Sequence, residues 1–311
     1  MSELEIVRYG VNGEGIGLID NKVVFIPYAI KDEKVEYKIK NENKSFCSAD
    51  LINIIEPSIN RVEPKCPYFY ECGGCSLQHI AYNEQLAIKK QIVQNNIKKY
   101  AQLDVIVNDT IACINEYNYR NHITFAVNNK GQLGFFKNGT HDVLRIKNCS
   151  LADPTINKCI DIFNSYFFDN KLYGYNFKTK NGQIKQIDIK YVDNQLLITI
   201  IATVSELPNL EHLYIRLNCL RIKYGVYLST NKADNTVIYG KLKHLYGIKQ
   251  IEAQENNLQT CISSYSFIQV NNYIKDLIYK DILEYVNGDL VVDAYSGRGT
   301  LSAMISKKAK T

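Results

Sequence analysis

The stretch Cys66-Pro67-Tyr68-Phe69-Tyr70-Glu71-Cys72-Gly73-Gly74-Cys75 places three thiols within ten residues and separates two differently patterned parts of the chain. Glycines at 73 and 74 let the backbone turn sharply and direct its N–H groups toward sulfur acceptors. Three close cysteines with a distant fourth ligand suit a [4Fe–4S] cluster, whereas zinc sites usually consist of two matched pairs. Spacing alone therefore favours a cluster, with zinc and with redox or buried thiols as alternatives.

The fourth ligand must come from elsewhere in the chain. Cys113, Cys149 and Cys159 are the candidates, and we favour Cys149 because it follows a predicted strand. The chain has nine cysteines and shows no secretion signal, so a disulfide framework is not expected. The isolated cysteines are predicted to be small buried hydrophobes, and they are Cys47, Cys219 and Cys261.

The residues before the cysteine loop read as short alternating strands separated by Asn-Gly and Asp-Asn turns. Strands this short and closely spaced predict a small OB-like β-barrel over residues 1–58. This region contains seven Lys/Arg and ten Asp/Glu, a net charge of −3. The remainder of the chain is therefore at +8, which allows an anionic partner for the larger part.

The region after the loop predicts a central antiparallel α+β domain over residues 59–258. It begins with a helix at about 80–100. This helix is expected to belong to the central domain, and the alternative is that it packs on the domain that follows. Turn residues at Asn128–Gly131, Asn181-Gly182 and Asp193-Asn194 indicate hairpins. The whole chain is thus expected to be an α+β multidomain protein.

A third pattern begins near residue 259. A helix over Tyr273–Asn287 is followed by an apolar strand, Leu290–Asp293, a glycine turn and a helix from Thr300. Strand, glycine turn and helix are typical of the start of a Rossmann-like nucleotide-binding fold. Residues 259–311 are therefore predicted to be the beginning of such a domain.

Composition excludes several classes of protein. With 46% hydrophobic and 22% charged residues among 311, the chain is neither disordered nor collagen-like. The longest apolar stretch, Leu196–Val204, is far short of the roughly 20 residues of a membrane helix. The N-terminus has no signal-peptide pattern, so we expect a cytoplasmic protein without a membrane partner. We also expect the protein to be a monomer.

Several motifs together identify a family resemblance. Cys66-Pro67-x4-Cys72-Gly73-Gly74-Cys75-x2-Gln78-His79 resembles the iron–sulfur motif of the bacterial RNA (uracil-5-)-methyltransferases of the RumA/RlmD-like group. Ser266-Phe267-x-Gln269-x-Asn271 is similar to the entry motif of that family's methyltransferase domain, and residues 293–300 are similar to its cofactor loop. The first 56 residues resemble a TRAM domain. The resemblance runs through the whole chain in order.

The resemblance implies two cofactors. One is a [4Fe–4S] cluster on Cys66, Cys72, Cys75 and Cys149. The other is S-adenosyl-L-methionine, expected at Gln269, Asp293, Tyr295, Gly297, Gly299 and Thr300. For Tyr295 core packing is an alternative, and for Asp293 a loop-stabilising role.

The resemblance also implies a reaction, the formation of 5-methyluridine in RNA, with 23S ribosomal RNA favoured over transfer RNA. In the family a cysteine thiolate adds to carbon 6 of uracil and a glutamate acts as base, and both lie downstream of the cofactor loop. We therefore expect a C-terminally truncated chain that is itself inactive. The alternative is a non-catalytic RNA-binding iron–sulfur fragment. A radical S-adenosylmethionine enzyme is disfavoured. That class has the pattern Cys-x3-Cys-x2-Cys, whereas five residues separate Cys66 from Cys72 here.

Basic and aromatic residues of the central domain are candidates for RNA contacts. Phosphates would be met by basic side chains, and unpaired bases would stack on aromatic ones, with solvated strand faces and core packing as the respective alternatives. The basic candidates are Arg120, His122, Lys137, Arg145 and Lys147, and the aromatic ones are Tyr119, Phe135 and Phe136.

Overall fold

The computed structural model describes residues 2–232 and 239–311. The chain divides into two compact units, residues 1–112 and 113–311. The domain boundaries predicted near residues 58 and 258 fall inside these units and stay predictions.

The first unit contains a six-stranded sheet in the order β1-β5-β6-β4-β3-β2. The β4–β6 pair is parallel and the other pairs are antiparallel. Val35 and Tyr37 turn inward from β5 and join Ile6, Val24 and Ile26 in the core, so alternation decides which face is buried. The strands are β1 Ser2–Glu5, β2 Arg8–Tyr9, β3 Gly15–Ile19, β4 Lys22–Ile26, β5 Lys34–Glu42 and β6 Phe46–Glu56.

A buried ion pair fixes the segment that follows β6. Glu33 is fully buried and accepts hydrogen bonds from Nε and Nη2 of Arg61 at 2.5 and 2.9 Å. Helix α1, Tyr82–Asn96, follows the cysteine loop and continues into a π-helical turn at Ile97–Ala101. Its buried residue Ile88 packs with Ile30 and Ile80.

The second unit is built on a seven-stranded sheet in the order β13-β12-β11-β10-β7-β8-β9. Only β11 and β12 are parallel among its pairs, and helix α3 makes the crossover that a parallel pair requires. The predicted antiparallel character and the hairpins at 128–131 and 193–194 are confirmed. The elements are β7 His122–Val127, β8 Leu133–Phe136, β9 Val143–Arg145, α2 Pro154–Asp169, β10 Ile184–Val192, β11 Gln195–Ala202, α3 Leu210–Asn218, β12 Lys223–Thr230 and β13 Lys241–Gly247.

The two faces of this sheet differ in chemistry. On β10, Ile187 and Ile189 alternate with Asp188 and Lys190, and all four are buried. Helix α2 packs on β10 and buries Phe163 and Phe167, so the isoleucine face forms the core. The opposite face of β10 carries Asp188 and Lys190.

The last part of the second unit contains a two-stranded hairpin and two helices. These are β14 Ile251–Glu255, β15 Leu258–Ile262, α4 Asn272–Tyr285 and α5 Thr300–Ile305. Asn271 caps α4 by accepting a hydrogen bond from the N–H of Ile274. In the described ranges, 2–232 and 239–311, no helix has the length and apolar character needed to cross a membrane.

The strand predicted at Leu290–Asp293 is wrong, because these residues have no regular structure. A strand must pair its backbone groups with a neighbour. Val291 instead donates its N–H to the carbonyl of Thr311, and no strand described here lies beside it. Leu290 and Val292 are 70% and 80% exposed. The glycine turn and α5 are present, but the predicted start of a Rossmann-like domain is not confirmed.

Candidate functional site

The glycine turn adopts a conformation that only glycine takes at low cost. Gly297 and Gly299 have φ values of +57° and +73°, and Gly299 directly precedes α5. The N–H of Gly299 donates to the carbonyl of Ser296 at 2.9 Å and closes the turn. No atom lies within 4 Å of the position where a Cβ of Gly299 would be, so backbone conformation rather than crowding requires glycine there.

A buried carboxylate binds the glycine turn through hydrogen bonds. Glu255, at the end of β14, accepts hydrogen bonds from Arg298 Nη2 at 2.8 Å and from Lys275 Nζ at 2.9 Å. The hydroxyl of Thr300 lies 3.4 Å from the same carboxylate. This cluster connects the hairpin, α4 and the glycine turn at one point.

The charges of this cluster depress the pKa of its carboxylate. Burial raises the pKa of Glu255, but the hydrogen bonds and positive charges of Lys275 and Arg298 outweigh burial and hold the pKa below its usual range. Glu255 is therefore ionised at neutral pH. Asp276 also lies 3.4 Å from the ammonium of Lys275, so two carboxylates balance the two cations of this cluster.

An open cavity of about 470 Å³ lies beside the turn, a size typical of small-molecule sites. Asp293 lines it, and its Oδ2 accepts a 2.6 Å hydrogen bond from Ser302. The apolar part of the lining includes Ile282 of α4 and Leu301 and Ile305 of α5. Apolar walls and one oriented carboxylate suit a nucleoside-type ligand such as S-adenosylmethionine.

The predicted cofactor residues occupy different settings. Tyr295 is fully exposed in the left-handed region, with φ of +66°, so its core-packing alternative is wrong. The side chain of Gln269 is exposed, while its carbonyl accepts a hydrogen bond from Asn121 at 3.1 Å. The structure thus places Asp293, Gly297, Gly299 and Thr300 around one turn and links Gln269 to the start of β7. Their assignment to the cofactor stays a prediction.

A buried lysine orients the segment that leads to Gln269. Lys190 is 1% exposed, and its ammonium donates to the carbonyls of Ser263, Ser264 and Ser266. Burial, with the nearby charge of Arg298, lowers the pKa of Lys190 despite the opposing effect of Asp188. Sequence reasoning missed both Lys190 and Glu255. The available signal was a charged residue at an inward position of an alternating strand.

A second polar group lies on the same sheet face. Asp188 lies 2.7 Å from Nε2 of His122 and accepts hydrogen bonds from the hydroxyls of Thr124 and Tyr239 at 2.6 and 3.0 Å. Burial raises the pKa of Asp188, but the His122 and Thr124 interactions and the charge of Lys190 bring it below its usual range. The ring of His122 is therefore held in one orientation at the partly open face.

The other RNA candidates are divided between core and surface. Phe135 packs on Phe125 with ring centroids 5.3 Å apart, which supports its core alternative. Arg145 and Lys147 are exposed on the segment that follows β8. The half-buried candidates are Tyr119, Arg120, Phe136 and Lys137.

The thiols of the cysteine loop take part in local hydrogen bonds. Cys72 is buried and accepts a hydrogen bond from the N–H of Gly74 at 3.4 Å, and Cys75 accepts one from Gln78 at 3.3 Å. Across residues 2–232 and 239–311, no group of three or more His, Cys, Asp or Glu side chains is arranged to hold a metal ion. The predicted [4Fe–4S] cluster on Cys66, Cys72, Cys75 and Cys149 is therefore not supported by the described residues and stays a prediction.

The two alternative fourth ligands, Cys159 and Cys113, have different environments. Cys159 is completely buried, and burial raises the pKa of its thiol to about 12, which disfavours the thiolate that a metal needs. Cys113 accepts a hydrogen bond from Asn271 at 3.2 Å. The isolated cysteines are split, because Cys47 is buried as predicted while Cys219 and Cys261 are exposed. None of the nine cysteines, all of which are described, forms a disulfide.

Residue 79 is an unusual buried histidine. His79 is fully buried with Tyr28 and Phe69 as ring neighbours, and neither ring nitrogen has a hydrogen-bond partner. Burial, together with the charge of Arg61, lowers the pKa of His79 to about 4. It is therefore a neutral packing residue at neutral pH.

Comparison with known proteins places the chain in a family. Residues 3–52 match the TRAM domain model. An uncharacterized RNA methyltransferase of Clostridium tetani is 34% identical over 317 residues, and one of Clostridium acetobutylicum is 34% identical over 321 residues. Each alignment covers 99% of this chain, and it covers 69% and 70% of the two relatives. These alignments do not confirm the predicted C-terminal truncation.

A solved structure shows the same fold. The tRNA (uracil-54, C5)-methyltransferase of Pyrococcus abyssi, in complex with S-adenosyl-L-homocysteine, matches with a TM-score of 0.78 at 21% identity. The match covers 98% of this chain and 70% of that chain. With relatives at 34% identity along nearly its whole length, the chain belongs to the RNA methyltransferase family.

Proposed function

We propose that this protein acts in the S-adenosylmethionine-dependent methylation of RNA at carbon 5 of uracil, which forms 5-methyluridine. One observation carries the proposal. Asp293, one of the residues where the methyltransferase resemblance expects the cofactor, lines a cavity of about 470 Å³, and the glycine turn follows it directly in the chain. The Pyrococcus abyssi enzyme of the same fold acts on uracil and was solved with the demethylated cofactor, which supports the same chemistry here.

The residues of the chain have separate tasks in cofactor binding. Gly297 and Gly299 let the backbone approach the ligand without a side chain between them. Asp293, held by Ser302, presents a carboxylate to the cavity, where it can accept hydrogen bonds from hydroxyl groups. The exposed ring of Tyr295 is available to stack on a base. When bound, S-adenosylmethionine supplies the methyl group.

The reaction at uracil needs a nucleophile and a base, since carbon 5 is a poor nucleophile until a group adds at carbon 6. We propose no cysteine of this chain for that role. Cys261, the one nearest in sequence to the cofactor motifs, is exposed on β15 and accepts a hydrogen bond from Gln250.

Ribosomal RNA is our proposed substrate, on the strength of the sequence resemblance alone. The solved relative acts on transfer RNA, so both substrates belong in the test. RNA binding without catalysis is the second candidate function, and it is favoured by the basic balance of the second unit. Residues 113–311 contain 24 Lys/Arg and 17 Asp/Glu.

The experiment measures cofactor binding and methyl transfer separately. Calorimetry with S-adenosylhomocysteine should show binding that the Asp293→Ala variant weakens, whereas Asp289→Ala, in the same segment, serves as the control. Tritiated S-adenosylmethionine with unmodified ribosomal and transfer RNA then tests transfer. Label at carbon 5 of uracil supports the proposed reaction and contradicts the prediction that the 311-residue chain is inactive. RNA binding with neither cofactor binding nor transfer supports the second candidate.

The iron–sulfur cluster is a separate proposal supported only by cysteine spacing and the family resemblance. No part of the proposed reaction depends on it. Protein purified without oxygen should contain about four irons if Cys66, Cys72, Cys75 and Cys149 hold one cluster. Iron-free protein with an unchanged melting temperature would contradict the cluster.

A further inference from the structure

One surface loop combines positive charge with aromatic rings. Residues 171–187 contain four lysines and three aromatic residues and no Asp or Glu. We call this segment the lysine-aromatic loop. Its charged and aromatic residues are Lys171, Tyr173, Tyr175, Phe177, Lys178, Lys180 and Lys185.

The loop is held in shape by hydrogen bonds across it. The N–H of Tyr175 donates to Ile184 at 2.7 Å, and the N–H of Asn176 donates to Asn181 at 2.7 Å. The side-chain oxygen of Asn176 also accepts from the N–H groups of Lys178 and Thr179 at 2.9 and 3.0 Å. The tip is therefore ordered before any partner binds, which lowers the entropic cost of binding.

The aromatic rings are arranged by a buried cation. Tyr175 and Phe177 meet edge to face with centroids 5.2 Å apart. The ammonium of Lys185, on β10, lies 5.3 Å from the Tyr175 centroid and 5.6 Å from that of Phe177. Despite these contacts, Phe177 is 45% exposed and Tyr173 is 43% exposed, so apolar ring surface faces solvent.

These features fit single-stranded RNA better than a protein partner. Aromatic faces stack on unpaired bases of any sequence, and lysines around them meet the phosphates. The other three lysines of the loop, Lys171, Lys178 and Lys180, are exposed, and a surface with three cations and no acidic residue in the loop is complementary to a polyanion. We propose that the lysine-aromatic loop binds an unpaired segment of the RNA substrate, with Phe177 stacking on a base and Lys178 and Lys180 contacting phosphates. The proposal rests on the proposed function, since it assumes that RNA is the substrate.

The test measures affinity for a fluorescent single-stranded RNA 20-mer containing uracil, by anisotropy, over a series of salt concentrations. Phe177→Leu keeps the apolar bulk and removes the ring, and it should weaken binding about fivefold or more. Phe177→Tyr should restore the affinity. The double variant Lys178→Gln and Lys180→Gln should lower the salt slope by about 1.4, since a single-strand phosphate contact contributes about 0.7.

Lys158→Gln is the matched control, because Lys158 is exposed near the start of α2, whereas the loop follows the end of that helix. It should change the salt slope less than the double variant does. Thermal melting of each variant shows that it is folded. Unchanged binding by the folded Phe177→Leu and double variants would overturn this inference alone. Absence of RNA binding by the wild-type chain would overturn both the inference and the proposed function.

Discussion

At the scale of single residues, two buried ionisable groups differ in charge state. His79 has no hydrogen-bond partner and stays neutral, whereas Glu255 stays charged because two cations surround it. A buried group without a partner loses its charge, and a buried group with partners keeps it. Each charge state makes stability depend on pH in its own range.

For His79 we expect destabilisation in mild acid. The pKa in the folded state is about 4 against 6.5 for an unperturbed histidine, so between these values the unfolded chain binds a proton that the folded chain does not. The free energy of unfolding should therefore fall by about 2 kcal/mol from pH 7 to pH 5. Urea unfolding at both pH values measures it. In His79→Phe this part of the pH dependence should vanish, and its persistence would show that another group is responsible.

For Glu255 we expect the neutral variant to be strongly destabilised. Glu255→Gln leaves Arg298 buried without its anion and leaves Lys275 with only the exposed Asp276, which should cost about 3–5 kcal/mol. Because the folded pKa is depressed, the stabilisation is present above the unfolded pKa of about 4.3 and is lost as pH falls through the lower folded value. Glu252→Gln, exposed on the same strand, is the control and should change stability by less than about 0.5 kcal/mol.

At the scale of elements, the sequence pattern predicted correctly those features that depend on neighbouring residues, namely the buried face of a strand and the position of a hairpin turn. Alternation placed Val35 and Tyr37 inward, and Asp193-Asn194 marked the β10–β11 hairpin. The strand at 290–293 was wrong because its apolar residues find no paired neighbour among the described strands. Glu255 was missed because Arg298 lies 43 residues away, and periodicity carries no information about contacts at that separation.

The glycine turn gives an element-scale prediction. Gly299→Ala puts a Cβ on a backbone with φ of +73°, which should cost about 1–2 kcal/mol and weaken binding of S-adenosylhomocysteine. Gly288→Ala, in the same segment but outside the left-handed region, is the control for the effect on stability only, because Gly288 itself lines the cavity. Differential scanning calorimetry and titration with the ligand measure the two effects. Equal melting temperatures for both variants would show that the turn is not strained by a side chain.

At the scale of the whole molecule, charge is unequally shared. Residues 1–112 contain 13 Lys/Arg and 15 Asp/Glu, a net of −2, and residues 113–311 have a net of +7. Neutralising phosphates needs a local excess of cations. We therefore expect the second unit to account for most of the sequence-independent attraction to RNA. The TRAM match lies wholly in the acidic unit.

This distribution predicts weak RNA binding by the first unit alone. A fragment of residues 1–112 should bind a single-stranded RNA 20-mer at least about tenfold more weakly than the whole chain at 0.15 M salt, because it has no cationic excess. Filter binding measures the two affinities, and circular dichroism shows that the fragment is folded. Equal affinities would place the main RNA surface in the TRAM region.

The Glu255 cluster also has an evolutionary consequence. A carboxylate that serves two cations tolerates the loss of one of them, because the other still neutralises it. Family members with an apolar residue at the position of Arg298 should therefore retain the lysine of α4, and those that lose the glutamate should have lost both cations. Substitutions at these three positions should then be correlated across the family, although they lie on a hairpin, a helix and a turn that are distant in sequence.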